Sequence, residues 1–217
     1  MPKGIGQRGI GGRAGVGRRQ IGARYAQTNA QEPYVFSTVG QGSGTMTFTP
    51  PKSGYWKFVA WGSGGGGTNG SGFPGSSGGY SEITKYLKPS QSVTIAVGGS
   101  GFGASSRTTT ITFPDGAVVS CVGGADDGGP AGTATGGDVN LSGGVGGASS
   151  SPAGAGTAGG SGGSFCGAGA PGNLPYRGGN GSAGNLAGCP PGGAAGAGSG
   201  VTTYGAAGLV IAVFIRD

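Results

Sequence analysis

Leu209-Val-Ile-Ala-Val-Phe-Ile215 is an unbroken apolar run that follows a tract, residues 123–200, in which 30 of 78 positions are glycine. The run reads as a β-strand of the kind buried on both faces. Its place in the chain matters more than its composition. A strand of this quality after a structureless tail would have nothing to pair with. A strand that returns to close a sheet pins both ends of the glycine tract. Residues 201–217 are therefore expected to pack against β-structure laid down earlier, and the tract between is expected to be ordered.

That earlier β-structure is readable in residues 32–122. Candidate strands are Tyr34–Val39, Thr45–Thr49, Tyr55–Trp61, Tyr80–Leu87, Ser92–Val97, Thr108–Phe113 and Val118–Val122. Met46 and Phe48 alternate with threonines, and Val93, Ile95 and Val97 alternate in turn, as strands with one buried face do. Asp115-Gly116 between two apolar runs is a hairpin cue. Pro50-Pro51-Lys-Ser-Gly54 and Lys88-Pro89-Ser90 separate other strands. No segment carries a helical period.

Residues 123–200 contain glycines three apart: Gly143–Gly146, Gly156–Gly159–Gly162, Gly178–Gly181–Gly184 and Gly193–Gly196. A polyproline-type helix has three residues per turn. Glycine at every third place leaves one face bare, so neighbouring helices can pack closely and exchange backbone hydrogen bonds. Buried amides would then be satisfied without α-helix or sheet. The expected fold is mainly β, with a small antiparallel β-sandwich or β-module in 32–122. To this are added an ordered, polyglycine II-like domain in 123–200, a closing strand in 201–217 and an extended arm in 1–31.

Composition agrees with this division. The chain has 59 Gly and 13 Pro among 217 residues, 9% charged and 34% apolar residues, too few apolar side chains for one large core. The arm carries Lys3, Arg8, Arg13, Arg18, Arg19 and Arg24 with no acid before Glu32, so the net charge of +6 resides there and the remainder is formally neutral. Ile5, Ile10, Val16 and Ile21 begin four copies of an [Ile/Val]-Gly-x-Arg repeat, a spacing that fits neither helix nor strand. Such an arm should be extended and should order on a partner. Two partners fit: an acidic groove in another protein, favoured by the recurring aliphatics, or the phosphates of a nucleic acid, which suit arginine.

Catalytic and metal chemistry find little support. The chain has no histidine, which excludes Ser-His-Asp and Cys-His systems and histidine-bearing zinc sites. Gly75-Ser-Ser77-Gly-Gly79 and Gly159-Gly-Ser161-Gly-Gly163 spell G-x-S-x-G, but a nucleophile elbow needs a following helix and a base. Gly62–Gly67 follows a strand without the Lys-[Ser/Thr] of a phosphate loop and reads instead as the start of a glycine lattice. Asp126, Asp127 and Asp138 lack EF-hand spacing and read as solvated loop acids. No enzyme, metal or cofactor is expected. Cys121, Cys166 and Cys189 make an odd count, read as reduced buried thiols with a Cys166–Cys189 bond open under oxidation. No secretory h-region opens the chain and no apolar run is long enough to span a bilayer, so synthesis in a host cytoplasm is expected.

The order of elements resembles the glycine-rich domain of bacteriophage tail fibres, spikes and related virion surface proteins. The resembling residues are Thr45-Met-Thr-Phe-Thr-Pro50, then Gly54-Tyr-Trp-Lys-Phe-Val-Ala-Trp61 running into Gly62–Gly67. Gly78-Gly-Tyr-Ser81, Leu87-Lys-Pro-Ser-Gln-Ser-Val-Thr-Ile-Ala-Val-Gly98, the glycine tract, Tyr204-Gly and Gly208-Leu-Val-Ile-Ala-Val follow. The resemblance implies a virion surface role, a closed homo-oligomer (trimer or pentamer), and loops that touch a host-cell receptor. Large side chains among glycines are the candidates for that contact: Asn69, Phe73, Phe102, Leu174, Tyr176 and Arg177. The basic arm suits anchoring to other capsid or tail proteins. The alternative is a nucleic-acid-binding virion or packaging protein acting through the arm on packaged genome.

Overall fold

A computed structural model describes residues 32–38, 42–67, 75–100, 106–146 and 204–217. The described residues fall within one compact unit, and the arm lies outside them. The described residues form ten β-strands and no helix. They are β1 (Tyr34–Ser37), β2 (Gly44–Phe48), β3 (Gly54–Trp61), β4 (Tyr80–Leu87) and β5 (Val93–Val97). Then follow β6 (Thr109–Thr112), β7 (Val118–Cys121), β8 (Ala134–Thr135), β9 (Val139–Leu141) and β10 (Leu209–Arg216). Two antiparallel sheets result, in the orders β1-β10-β3-β4-β9 and β2-β5-β6-β7-β8.

The strands form where β-branched and aromatic residues alternate, and their buried faces meet between the sheets. From the first sheet come Trp56, Phe58 and Ala60 of β3, Ile83 and Leu87 of β4, and Val210 and Ala212 of β10. Facing them are Phe48, Val93, Ile95, Val97, Ile111, Val119 and Cys121 of the second. Phe48 sits edge-on to Trp56 and Phe58 at 5.1 and 5.8 Å between ring centroids, tying the sheets at one end of the core.

The closing strand takes the position its sequence required. β10 lies between β1 and β3, with Leu209 opposite Trp61 and Phe214 opposite Trp56. A register shift between Phe214 and Arg216 precedes the last pair, Arg216 with Tyr55. One expectation changes: β10 is buried on one face, not two. Val210 and Ala212 are fully buried, whereas Ile211 and Val213 are half-buried and Ile215 is 49% exposed.

The two ends of the sandwich differ. At one end short turns join β2 to β3, β4 to β5 and β6 to β7. The last is a three-residue hairpin, Pro114-Asp115-Gly116, in which Gly116 has φ of 83° and Phe113 N–H donates to Ala117 O at 2.9 Å. Asp115 Oδ1 accepts the Ala117 N–H at 3.0 Å, and its carboxylate is held below the usual pKa first by the Lys85 hydrogen bond and then by that backbone donor. At the other end lie the long glycine-bearing connections: β3 to β4, β5 to β6, β7 to β8 and β9 to β10. β8 and β9, inside the tract read from sequence as lattice, join β7 and β4 respectively. Residues 147–203, with Cys166 and Cys189, lie outside the described residues.

Phe58 makes edge contacts at 5.2 Å to Phe113 and 5.8 Å to Phe48. Phe58→Ala should therefore cost about 3–5 kcal/mol in denaturant unfolding, while Thr112→Ala at an exposed position changes stability by under about 0.5 kcal/mol. Burial pushes the Cys121 thiol up to about 12, with Sγ 3.5 Å from Ala60 O. Unfolded Cys ionises near 9.0, so above that pH the folded state holds the extra proton. The thiol's contribution to stability is complete below that pH and is lost as pH rises toward 12. Native protein at pH 8 should resist alkylation at Cys121, and unfolded protein should be modified there, as peptide mass mapping would show.

Candidate functional site

The glycine-rich end is the feature that distinguishes this sandwich from an ordinary one. β3 runs out into residues 62–66, and residues 75–79 lead back into β4. Residues 122–133 link β7 to β8, 142–146 follow β9, and 204–208 lead into β10. None of these glycine stretches is a strand, yet many of their amides donate to neighbouring segments.

The pairing turns with a period of three. Gly62 N–H donates to Gly79 O at 2.9 Å, Ser63 to Arg107 O at 3.1 Å and Gly64 to Ala206 O at 2.9 Å. Gly65 then returns to the first neighbour, donating to Ser76 O at 2.8 Å. Acceptors repeat likewise: Ser63 O takes the Gly124 N–H and Gly66 O the Asp127 N–H. The returning segment does the same, with Ser76 and Gly79 donating to Ala125 and Val122 while Ser77 turns to Gly144. Three residues per turn is the geometry of a polyglycine II-like helix, and each segment bonds to neighbours on several sides. The segments run in both directions. Residues 62–65 are antiparallel to 76–79, whereas 63–66 are parallel to 124–127.

Close approach explains the glycines. A Cβ on Gly65 would overlap the Ala125 carbonyl, one on Gly124 the Ser76 carbonyl, and one on Gly205 the Gly64 carbonyl. Gly75, Gly78 and Gly143 similarly face the carbonyls of Gly65, Gly62 and Ser77. No positive φ is involved at these six positions; the constraint is the space between chains.

Side chains stitch the segments where glycine gives way. Ser63 Oγ donates to Arg107 O at 3.0 Å, and Ser76 Oγ donates to Gly129 O at 2.5 Å while accepting the Gly146 N–H at 3.0 Å. Arg107 forms an ion pair with Asp126 and donates from Nη1 to Gly124 O at 3.0 Å. Asp126 Oδ1 also accepts the Gly66 N–H at 2.6 Å. Asp126 is therefore a lattice clamp and not the solvated loop acid expected from sequence. Asp138 accepts the Thr84 N–H at 2.9 Å.

Other motifs take their places in the same lattice. Ser77, the central serine of Gly75-Ser-Ser77-Gly-Gly79, is 1% exposed and accepts the Gly144 N–H at 2.8 Å, and the strand β4 follows it. Gly143 donates to Gly132 O at 2.7 Å and Gly146 to Ser76 Oγ, so both members of that ladder are bonded. The remaining ladders lie outside the described residues, as do Asn69, Phe73, Phe102, Leu174, Tyr176, Arg177 and every arm residue from Lys3 to Arg24. The described residues bordering these loops, at 67 and 75, 100 and 106, and 146 and 204, belong to connections that start at the lattice end. Among the described residues, no group of three or more Cys, Asp or Glu is placed to hold a metal ion. Arg107 and Asp126 are the lattice residues that sequence reasoning missed; neither stands in a motif, and 19 positions separate them.

Comparison with models of known protein families gives no match, and a search of curated proteins finds no relative.

Two substitutions separate the lattice from ordinary loop structure. Gly124→Ala forces a methyl into the Ser76 carbonyl and should destabilise the fold by about 1–3 kcal/mol or more. Gly42→Ala has open space around the new methyl, so it should be neutral or stabilise by up to about 1 kcal/mol by stiffening the unfolded chain. Chemical denaturation of both variants beside the parent protein checks the pair.

Proposed function

We propose that this chain is a virion structural protein, a spike, fibre or capsid-associated surface subunit, anchored by its N-terminal arm and presenting the glycine-lattice end outward for host attachment. The observation that carries this reading is the polarity of the sandwich. The long connections all leave from the lattice end. β1, which follows the arm in sequence, is antiparallel to β10, so its first residue, Tyr34, sits farther from that end than Ser37 does. A scaffold of this kind holds variable loops at one end on fixed backbone positions, which suits recognition by loops. The order of strand, glycine stretch and strand that resembles phage fibre and spike domains supports the same reading.

The lattice serves this role physically. Hydrogen bonds from each segment to several neighbours leave no long sheet edge for stray pairing. Loops rooted in it can change sequence without disturbing the core. The proposed role is structural and non-enzymatic, with no metal or cofactor.

A second reading rests on charge. Lys57–Glu82, Lys85–Asp115 and Arg107–Asp126 neutralise three carboxylates within the body. The arm carries six cations and no acid, and on this reading the chain would bind packaged nucleic acid with steep salt dependence. Deleting residues 1–24 decides between the two roles. On the anchoring reading the truncated chain folds but no longer joins particles, and the full chain shows no salt-sensitive binding to DNA or RNA. Normal incorporation of the truncated chain would contradict anchoring. Low-salt nucleic-acid binding that disappears with the arginines would favour the second role.

A further inference from the structure

We propose that the outer face of the first sheet is the surface through which copies of this chain associate. This takes from the reading above only its expectation of a homo-oligomer. The test uses the isolated protein, so it stands or falls apart from any particle role.

An antiparallel sheet with one solvent face normally alternates apolar-in with polar-out. Sheet one does not. Outward from β10 point Leu209, Ile211, Val213 and Ile215, with no polar residue among them until Arg216. Beside them on β1 is Val35, 58% exposed, and on β3 and β4 are Tyr55 at 39% and Tyr86 at 47%. The two tyrosines meet edge to face at 5.3 Å, and Arg216 lies over the Tyr55 ring at 5.2 Å. Toward the lattice end the same face is closed, with Val59, Trp61 and Tyr80 buried. Val35, Val213, Ile215, Tyr55 and Tyr86 therefore leave an exposed, largely apolar surface on four adjacent strands, interrupted by Lys57, opposite Val213, and by Thr84, opposite Lys57. Patches of this kind on a folded protein mark association surfaces.

Charge selects the occupant. The four strands β1, β10, β3 and β4 contain a single acid, Glu82, which is 7% exposed, ion-paired with Lys57 and hydrogen-bonded by Tyr80. The face offers nothing to a basic partner and, with Lys57 ion-paired and Arg216 laid over the Tyr55 ring, little to an acidic one. Its complement is another neutral apolar face, and each copy of the chain brings one. Outer faces packed about a symmetry axis would cover the β10 stripe, giving that strand the two-sided burial its sequence implies.

The full chain, examined by sedimentation over micromolar concentrations, should be an oligomer. Val35→Lys with Tyr86→Lys, both at exposed positions, should weaken association by about tenfold or more while near-ultraviolet ellipticity stays that of the folded protein. Val118→Lys, 47% exposed on the second sheet, should leave the oligomer intact. If the double variant loses its ellipticity, Ile215→Lys at the end of β10 carries the test with the same expected dissociation. A parent chain that is monomeric throughout, or an oligomer indifferent to these outer-face lysines, overturns the proposal.

Discussion

The structure depends on one requirement: backbone amides that run past the end of β3 must find acceptors without a strand ladder. A buried amide left unpaired costs about 1–3 kcal/mol, and the segment from Gly62 to Gly66 has several to place. Its solution is rotation. Successive N–H groups point to Gly79, Arg107 and Ala206 before the direction repeats at Gly65. Each of those acceptors belongs to a different connection of the sandwich. Segments 75–79, 106–107 and 204–208 are thus fixed together by a single stretch of chain, and the Arg107–Asp126 pair locks a fourth into place.

Glycine is the enabling residue and also the costly one. Each ordered glycine gives up more backbone freedom than alanine would, roughly 0.5–1 kcal/mol. The compensation comes from hydrogen bonds and from the strands at either side of each segment. β3 and β4 clamp 62–79, and β9 and β10 bracket the long tract between 142 and 208. Without β10 between β1 and β3, the tract would be tethered at one end only. A modest apolar core is thus extended by backbone pairing among the described glycine segments at one end of the sandwich.

Strands were the most legible part of the sequence. The seven strands expected in 32–122 are present, with ends shifted by a residue or two, because alternation at Met46–Phe48 and Val93–Val97 reports burial directly. The Asp115-Gly116 turn was legible because φ near 83° at Gly116 demands glycine. β8 and β9 were not: two and three residues long, they carry no period to detect and exist because β7 and β4 offer edges. The lattice was legible as a principle but not in extent. Glycine spacing pointed into 123–200 and Gly62–Gly67 read as the lattice entry, whereas the pairing also brings in 75–79, since contacts between distant segments leave no mark on local spacing. For the same reason Asp126 read as a solvated acid until its partner Arg107 was seen beside it. The apolar run of β10 implied two covered faces, and the single chain covers only one fully.

The central claim is that the glycine segments are a hydrogen-bonded lattice as firmly held as the sheets. Native-state amide hydrogen exchange, read residue by residue, tests it most directly. The amides of Gly62, Ser63, Gly64, Gly65, Ser76, Gly79 and Gly124 should exchange with protection comparable to that of Phe58 and Ile95 in the strands. Exchange of those seven amides at the rate of open loops, while the strands stay protected, would contradict the account.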